Sequence, residues 1–457
     1  MLHSCAVKYD NYVMTIWLPR LPETSDPIYS RIADALERDL RGGVLMPGSR
    51  LPTHRELARS LRITPVTVTR AYAEAMRRGL VESTTGRGTF ARAMTRREAV
   101  PANEIDLATN IVTVPLPSPS RVLLERAGDV LTSSTYASGA GSERHRAAGA
   151  AWIGRDTDPS RVIVTAGTQH ALFLAFAATT RPGDTVFAEE LTYHGAKAVA
   201  TLLNVRLIPL PMDRYGIVPD ALARACRARA AAKVLYTVPS LHNPTGIVVP
   251  ETRRRELAAV ANKHGLTIIE DDVCGFLLEK TPPPLAAFAP DRTIFLTGLG
   301  KSLTPAMRVG YLTAPAALLE RAQAALASTI LFASPVLGEL AATWIEDGTA
   351  ARVAAQKRAE VALRNRAARR ILSRVSGDVR SPHLWVELPK RWSPDAFAEE
   401  ARRRRVRVAA ASSFAVGKSV PRAIRVSVGA PATIAELEQA LHVLAGIGEQ
   451  RREEPVV

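Results

Sequence analysis

The chain has 457 residues, 47% of them hydrophobic and 23% charged, which excludes a disordered or fibrous protein and leaves room for two or more folded domains. Its three cysteines are too few and too scattered for a disulfide framework or a structural zinc site, so we expect a cytoplasmic protein without a metal centre. Polar residues interrupt the longest apolar stretch, residues 324–345, and the N-terminus lacks a secretory pattern, so we expect neither a membrane span nor export.

The positive charge of the chain is concentrated near its N-terminus. The formal net charge is +16, and residues 26–97 contain 14 arginines, no lysine and 7 acidic residues. This composition favours a surface that binds a polyanion, although a solvated basic face would have the same composition. The local pattern therefore has to decide between the two.

Three helices are predicted in this basic segment. Apolar residues recur at helical spacing over residues 28–36, which predicts a first helix that ends before Gly42. Thr53 and Glu56 are spaced as a capping box, which predicts a second, short helix over the eight residues that follow Thr53. Pro65 follows a threonine, a pattern typical of a helix start, and predicts a third helix. The buried face of this third helix should comprise Val68, Ala71, Tyr72 and Ala75.

Two short strands around a basic tip at residues 86–88 are predicted next, and they complete a winged helix-turn-helix. The N-terminal end of the third helix can enter the major groove of DNA, and three of its residues point away from the predicted core: Thr67, Thr69 and Arg70. Three arginines are placed to neutralise phosphates: Arg50, Arg55 and Arg87. A three-helix protein-interaction module is the alternative interpretation.

The run from residue 48 to residue 90 resembles the N-terminal domain of GntR-family regulators. The motifs R-L-P, R-E-L-A, T-V, A-Y, G-L-V and G-R-G-T-F occur in the family order. In that family the arginine of R-E-L-A, here Arg55, and an arginine that opens the recognition helix commonly contact DNA. Pro65 occupies the second position, so the resemblance implies that base contacts come from Thr67, Thr69 or Arg70.

Residues 94–105 are charged and lack an apolar period, which predicts a linker between a DNA-binding domain at 24–93 and a second domain at 106–450. In the second domain, short β-rich runs alternate with helical stretches, so we expect an α/β fold with a mostly parallel sheet that is covered on both faces. The predicted strands are RVIVTA, DTVFAE, VRLIPLP, KVLYTVP, LTIIEDD, RTIFLTG and RVGYLTA.

Polar residues follow several of these strands, at the sheet edge where α/β proteins bind ligands. Together they suit pyridoxal 5'-phosphate, because a lysine can form a Schiff base, a carboxylate can hold the ring nitrogen protonated, and an arginine with a helix terminus can bind phosphate. Each residue alone is weak evidence, since exposed lysines and capping carboxylates are common after strands. The residues are Gly167, Thr168, Asn243, Asp271, Lys301 and Arg308.

Residues 106–445 resemble fold-type I aminotransferases, with V-T-A-G-T-Q, H-N-P-T-G, I-I-E-D-D, G-K-S-L-T-P-A-M-R-V-G-Y and I-R-V-S-V-G in the family order. The resemblance implies that Lys301 forms the Schiff base and that Asp271 pairs with the pyridine nitrogen. It further implies that Asn243 binds the ring hydroxyl and that Tyr193 stacks on the ring.

The same resemblance extends to the phosphate, the substrate and a second subunit. Thr168 and Arg308 would hold the phosphate, with Gly167 at the start of the helix that faces it. Tyr136 would reach the phosphate from the partner subunit of a homodimer. Arg425 would bind the carboxylate of an amino-acid-like ligand.

A GntR-like head fused to an aminotransferase-like body resembles the MocR regulators. The resemblance predicts a homodimer that binds promoter DNA with repeated half-sites and that responds to an amino compound or to pyridoxal phosphate itself. The run I-W-L-P-R-L resembles the start of one MocR subgroup, which leaves Met1 and Met14 as candidate initiators.

The body departs from the family pattern at four positions. Val273 and Cys274 replace a tyrosine that contributes a hydrogen bond to the ring oxygen, and Gly298 and Gly300 replace two hydroxyl residues near the phosphate. Each lost hydrogen bond should weaken cofactor binding by roughly 1 kcal/mol. These departures favour ligand sensing over efficient turnover.

Three functions stay open at this point. The first is a pyridoxal-phosphate-binding transcriptional regulator, and the second is an aminotransferase with an accessory DNA-binding head. The third is a DNA-binding protein whose body is only a dimerisation scaffold. The retained set of Lys301, Asp271, Asn243 and Arg308 disfavours the scaffold.

Overall fold

The computed structural model divides the chain into two compact units, Met1–Pro101 and Ala102–Val457. None of the helices it describes is long and apolar enough to cross a membrane. The described residues are 17–19, 21, 27–41, 45, 49–78, 80–84, 88–91, 104–118, 121–132, 136–154, 156–229 and 231–449.

The N-terminal unit is a winged helix-turn-helix, as predicted. It contains α1 (Ile28–Arg41), α2 (His54–Leu61), α3 (Pro65–Arg77) and the antiparallel strands β1 (Val81–Thr84) and β2 (Gly88–Ala91). The tip between the strands, including Arg87, lies outside the described residues.

Local sequence signals account for the helix starts in this unit. The Thr53 side chain accepts a hydrogen bond from the backbone N–H of Glu56, and the Glu56 carboxylate accepts one from the backbone N–H of Thr53 at 2.7 Å. Both halves of the predicted capping box are therefore present, and the Thr64 side chain caps α3 in the same way.

The core of the N-terminal unit forms where the helices were predicted to pack. The four residues assigned to the buried face of α3 are all buried, and they pack with Ile32 and Leu36 of α1. Ile28 was expected in the same stripe but is 40% exposed, because it is the first residue of α1 and lies at the end of the packed face.

The second unit is built on a seven-stranded, mostly parallel sheet made of the seven predicted strands. The strand order is β4-β12-β11-β10-β9-β5-β6, and only β12 runs antiparallel to its neighbours. The strands are β4 (Val162–Thr165), β5 (Thr185–Glu189), β6 (Arg206–Leu210), β9 (Val234–Thr237), β10 (Thr267–Asp271), β11 (Thr293–Gly298) and β12 (Gly310–Thr313).

Helices cover both faces of this sheet. Alternate residues of one strand face opposite sides: Tyr236 and Ile269 lie in one apolar cluster, whereas Leu235 and Ile268 lie in another. The helices are α4 (Arg121–Thr132), α5 (Glu143–Ile153), α6 (Thr168–Thr179), α7 (His194–Leu202), α8 (Pro219–Ala228), α9 (Glu251–His264), α10 (Leu299–Ser302), α11 (Ala316–Thr329), α12 (Pro335–Glu346), α13 (Thr349–Ile371), α14 (Pro394–Arg403) and α15 (Ile434–Glu449).

A smaller sheet forms the C-terminal part of this unit, and the sequence did not predict it. Its order is β13-β14-β17-β16, and its apolar side packs against α13, α14 and α15. The remaining strands of the unit are β3 (Ile105–Asp106), β7 (Met212–Asp213), β8 (Gly216–Ile217), β13 (Val375–Ser376), β14 (His383–Glu387), β15 (Val406–Arg407), β16 (Ala409–Ala410) and β17 (Ala423–Ser427).

The segment predicted as a linker includes one residue that is part of the fold. Ile105 was assigned to the linker, but it belongs to β3, which pairs in parallel with β15. Leu107 is fully buried in the core beside the smaller sheet, and its burial fixes this segment to the second unit. The aminotransferase-like unit therefore already includes Ile105.

Candidate functional site

Asp271 ends β10 as a buried carboxylate that is only partly satisfied. Its Oδ2 accepts a hydrogen bond from the Tyr236 hydroxyl at 3.0 Å, whereas its Oδ1 has no partner among the described residues. Burial raises the pKa of Asp271 to about 7. A buried oxygen of this kind requires a donor, so Asp271 is placed to accept a hydrogen bond from a ligand.

Lys301 follows β11 on the short helix α10. Its side chain is partly buried, and the ammonium donates a hydrogen bond to the backbone carbonyl of Asn110. Asn110 was not predicted as a site residue, because it follows the linker and its contact uses a backbone atom. Its side-chain amide lies 3.1 Å from Nδ1 of the buried His383.

Cys274 follows Asp271 by three residues and is a buried thiol. Burial raises the pKa of Cys274 to about 12, and the charges of Lys301, Asp271, Asp272 and Arg425 also affect it. Cys274 is one of the departures from the family pattern noted above. A small, un-ionised side chain therefore stands here in place of the tyrosine of that pattern.

Arg425, on β17, is a buried cation that joins several parts of the site. Its guanidinium donates to Oδ1 of Asn243 at 2.8 Å and to the backbone carbonyl of Ala108. It also lies over the Phe414 ring, with 4.9 Å between Cζ and the ring centroid. Its Nε has no partner among the described residues, and burial lowers the pKa of Arg425 to about 10. The Nε–H group of Arg425 is therefore available for an anionic ligand.

Tyr193 directly precedes α7 and lies near Arg425. Its hydroxyl donates a hydrogen bond to Oε1 of Gln169 at 3.1 Å. Tyr193 also partly offsets the lowering of the Arg425 pKa by burial. Gln169 in turn donates to the backbone carbonyl of Gly195 at 3.2 Å. Gln169 lies in the V-T-A-G-T-Q motif, so the signal that identified Thr168 could also have identified Gln169.

The start of α6 forms a cradle in which small residues are required. Gly167 precedes the helix with φ of 89°, and a Cβ there would approach Cζ of Arg308 to 3.1 Å. A Cβ on Gly298 would lie 2.5 Å from Oγ1 of Thr168. Gly298, which the sequence marked only as a lost hydroxyl, therefore leaves room for Thr168 at a helix N-terminus that can bind an anion.

One predicted site residue lies apart from this group. Tyr136 is 86% exposed, and its ring centroid is 6.1 Å from that of Phe332. The role given to Tyr136 requires a second chain, and it stays a prediction.

The predicted DNA contacts lie on the surface of the N-terminal unit. Arg50, Arg55, Thr69 and Arg70 are exposed, and Thr67 is half-buried. The Thr69 hydroxyl donates to the backbone carbonyl of Pro65 at 3.0 Å and lies 3.2 Å from Nδ1 of His54. The exposed Thr69 side chain thus also forms a hydrogen bond within the first turn of α3.

Comparison with known proteins identifies both units. The family described as aminotransferase class I and II matches residues 102–444, and that described as bacterial regulatory proteins, gntR family, matches residues 28–91. The chain is 32% identical over 455 residues to the uncharacterized HTH-type transcriptional regulator YdeF of Bacillus subtilis. This match covers 95% of this chain and 97% of that protein. The chain belongs to the MocR-type regulators.

One further relative matches most of this MocR-type chain, and one solved structure shares the fold of its body. It is 28% identical over 429 residues to the uncharacterized HTH-type transcriptional regulator YisV of Bacillus subtilis, covering 84% of this chain and 88% of that protein. An archaeal alanine:glyoxylate aminotransferase structure superposes with a TM-score of 0.69 at 23% identity, over 76% of this chain and 91% of that chain. The second likeness shows a common fold for the body of the regulator.

Pyridoxal 5'-phosphate is the cofactor of the aminotransferase family, and the residues of the MocR-type body fit it. The free buried oxygen of Asp271 suits a protonated ring nitrogen, which is a hydrogen-bond donor. The cradle at α6, with Arg308 against Gly167, suits a phosphate. When bound, the cofactor supplies an aldehyde that a lysine amine can attack and a ring that withdraws electrons.

Proposed function

We propose that this MocR-type regulator binds pyridoxal 5'-phosphate at Lys301 and adjusts its DNA binding to an amino compound, or to the cofactor itself. The observation that carries the proposal is the position of residues 108–110. The carbonyls of Ala108 and Asn110 accept hydrogen bonds from Arg425 and Lys301. A ligand at these two cations therefore contacts the segment that follows the linker to the DNA-binding unit.

In this proposal, the chain contributes four groups around the cofactor ring. Lys301 holds the cofactor covalently, and Asp271 accepts a hydrogen bond from its ring nitrogen. Asn243 binds the ring hydroxyl through its side-chain NH₂, because its Oδ1 is already engaged by Arg425. Tyr193, held by Gln169, packs on the ring face.

The phosphate and the effector are bound by different residues in this proposal. Gly167, Thr168 and Arg308 bind the phosphate at the start of α6. Arg425 binds the carboxylate of an amino-acid-like effector through a charge-assisted hydrogen bond. Tyr136 of the partner subunit completes the phosphate site in a homodimer.

The N-terminal unit is proposed to read promoter DNA with repeated half-sites, one for each subunit of the dimer. The contacts are Arg50, Arg55 and Arg87 to phosphates, and Thr67, Thr69 and Arg70 to base edges.

An aminotransferase with an accessory head is the second candidate. It is favoured because Lys301, Asp271 and Arg425 are all retained and because the side chains of Lys301 and Arg425 both bind residues 108–110. Cys274 opposes it, because a buried thiol replaces a group that would tune the cofactor. Turnover at roughly 1 to 1000 per second with an amino acid and a keto acid would support the enzyme. Slow or absent turnover, together with an effect of the amine on DNA binding, would support the regulator.

The deciding experiment titrates the full-length protein with pyridoxal phosphate and then with a panel of amines, while DNA binding is followed in parallel. Borohydride reduction and peptide mapping should place the cofactor on Lys301. An adduct elsewhere, or amines that change neither spectrum nor DNA affinity, would contradict the proposal.

A further inference from the structure

Lys357 is a buried lysine on α13 that the sequence did not single out. Its side chain is 2% exposed. Its ammonium donates hydrogen bonds to the backbone carbonyls of Lys301, at 2.9 Å, and of Leu303, at 2.6 Å. A second buried cation thus contacts the backbone of the residue proposed to hold the cofactor.

The partners of Lys357 are neutral carbonyls, which makes its burial costly. Removing an ammonium from water is unfavourable unless a carboxylate or several good acceptors compensate it, and an apolar side chain of similar size could fill the same space. Burial, together with the charge of Lys301, lowers the pKa of Lys357 to about 8. The presence of a lysine here therefore requires an explanation beyond packing.

The contacts of Lys357 supply one explanation. Lys301 lies in the last turn of α10, which has only four residues, and carbonyls in a last helical turn lack partners within the helix. Lys357 provides two donors there, one on each side of Ser302. The backbone that carries Lys301 is thereby fixed to the long helix α13.

We infer that Lys357 is a positioning residue for Lys301: its two hydrogen bonds fix the backbone that carries the reactive amine. This inference rests on the proposed role of Lys301. It adds a second lysine, on a separate helix, to the residues on which cofactor capture depends.

The test measures how firmly the backbone around Lys301 is held without the cofactor. Hydrogen–deuterium exchange of the backbone amides of residues 299–304 is followed in the cofactor-free, full-length protein. We expect Lys357→Met to speed this exchange by about three- to tenfold, the effect of about one lost hydrogen bond. Lys357→Arg, which keeps donors at this position, should restore most of the protection.

Arg364 provides a matched control on the same helix. It is a buried cation that donates to the backbone carbonyls of Val428, at 3.2 Å, and Pro431, at 2.7 Å, away from α10. Arg364→Met should lower thermal stability but leave the exchange of residues 299–304 unchanged. An equal acceleration in both variants, or unchanged exchange in Lys357→Met, would overturn the inference.

Two additions keep the outcomes separable. If Lys357→Met does not fold, the shorter side chain of Lys357→Gln replaces it, and unchanged exchange in that variant would equally overturn the inference. Borohydride trapping of pyridoxal phosphate is run on the same proteins. A wild-type protein that forms no adduct would contradict the proposed function, whereas the exchange result would still decide the role of Lys357.

Discussion

The two units of the chain place their charged groups in opposite environments. In the N-terminal unit, Arg50, Arg55 and Arg70 are exposed on the surface. In the aminotransferase-like unit, Asp271 and Arg425 are buried. Exposed charges interact at long range and are screened by salt, whereas buried charges are sensitive to pH and to the partner they contact. We therefore expect salt to control the first unit and protonation to control the second.

The largest expected effect comes from removing the amine of Lys301. Lys301→Ala should abolish covalent capture of pyridoxal phosphate, because it removes the amine proposed to form the Schiff base. Borohydride trapping with peptide mapping measures the loss. Lys263→Ala, which removes an exposed lysine of α9, is the control and should trap the cofactor like the wild type. Retained adduct in Lys301→Ala would show that the cofactor binds elsewhere.

A smaller effect is expected from Asp271→Asn in cofactor-free protein. Burial raises the folded-state pKa of Asp271 from 3.8 to about 7, so its charged form destabilises the fold progressively as pH rises through that window. Asn keeps an acceptor for Tyr236 without the charge. The variant should be more stable than wild type by about 2 to 4 kcal/mol at pH 8 and nearly equal to it at acidic pH.

Urea denaturation at acidic and alkaline pH measures this difference. Cofactor binding by Asp271→Asn should weaken at the same time, since the ring nitrogen loses its anionic partner. A stability difference that is independent of pH would show that Asp271 has the same pKa in the folded and unfolded protein, which would contradict a pKa raised by burial.

Arg425→Gln should weaken binding of carboxylate-bearing amines by about 10- to 100-fold, the value of a charge-assisted hydrogen bond. Binding of a simple amine that lacks a carboxylate should change much less, and titration of both ligands on the same sample measures the contrast. Equal losses for both amines would indicate that Arg425 acts only through Asn243 and the cofactor.

The smallest effect is expected in the N-terminal unit. Arg55→Gln should reduce the slope of log affinity against log salt by about 1, the value of one phosphate contact, and leave cofactor capture unchanged. Arg78→Gln is the control, because the Arg78 guanidinium already binds Asp34 and Glu74 and is less available to DNA. DNA titrations at several salt concentrations provide the measurement. An unchanged slope in Arg55→Gln would show that Arg55 does not contact a DNA phosphate.

The sequence predicted the parts of the fold that depend on local patterns. The seven strands of the large sheet are apolar runs between helical stretches, and the capping box at Thr53 fixes the start of α2. The smaller sheet was not predicted, because strands such as β13 and β16 have only two residues each. Strands this short have no period that a sequence could show.

The site was predictable where side chains follow strands, and not where backbone atoms contribute. Asp271 and Lys301 were found because each lies at or just after the carboxyl end of a strand. Ala108 and Asn110 contribute carbonyls, which every residue possesses, so no residue type marks them. Lys357 was missed because a lysine within a charged, helical stretch is usually solvent-exposed.

The pairing of β3 with β15 constrains how the protein can be dissected into separately expressed pieces. A truncated body that begins at residue 111 would lose β3, Leu107 from its core and both carbonyl acceptors of the site. A body that begins at Glu104 retains them. Ligand-binding measurements on the shorter piece would therefore reflect the loss of these site contacts, and not only the removal of the DNA-binding unit.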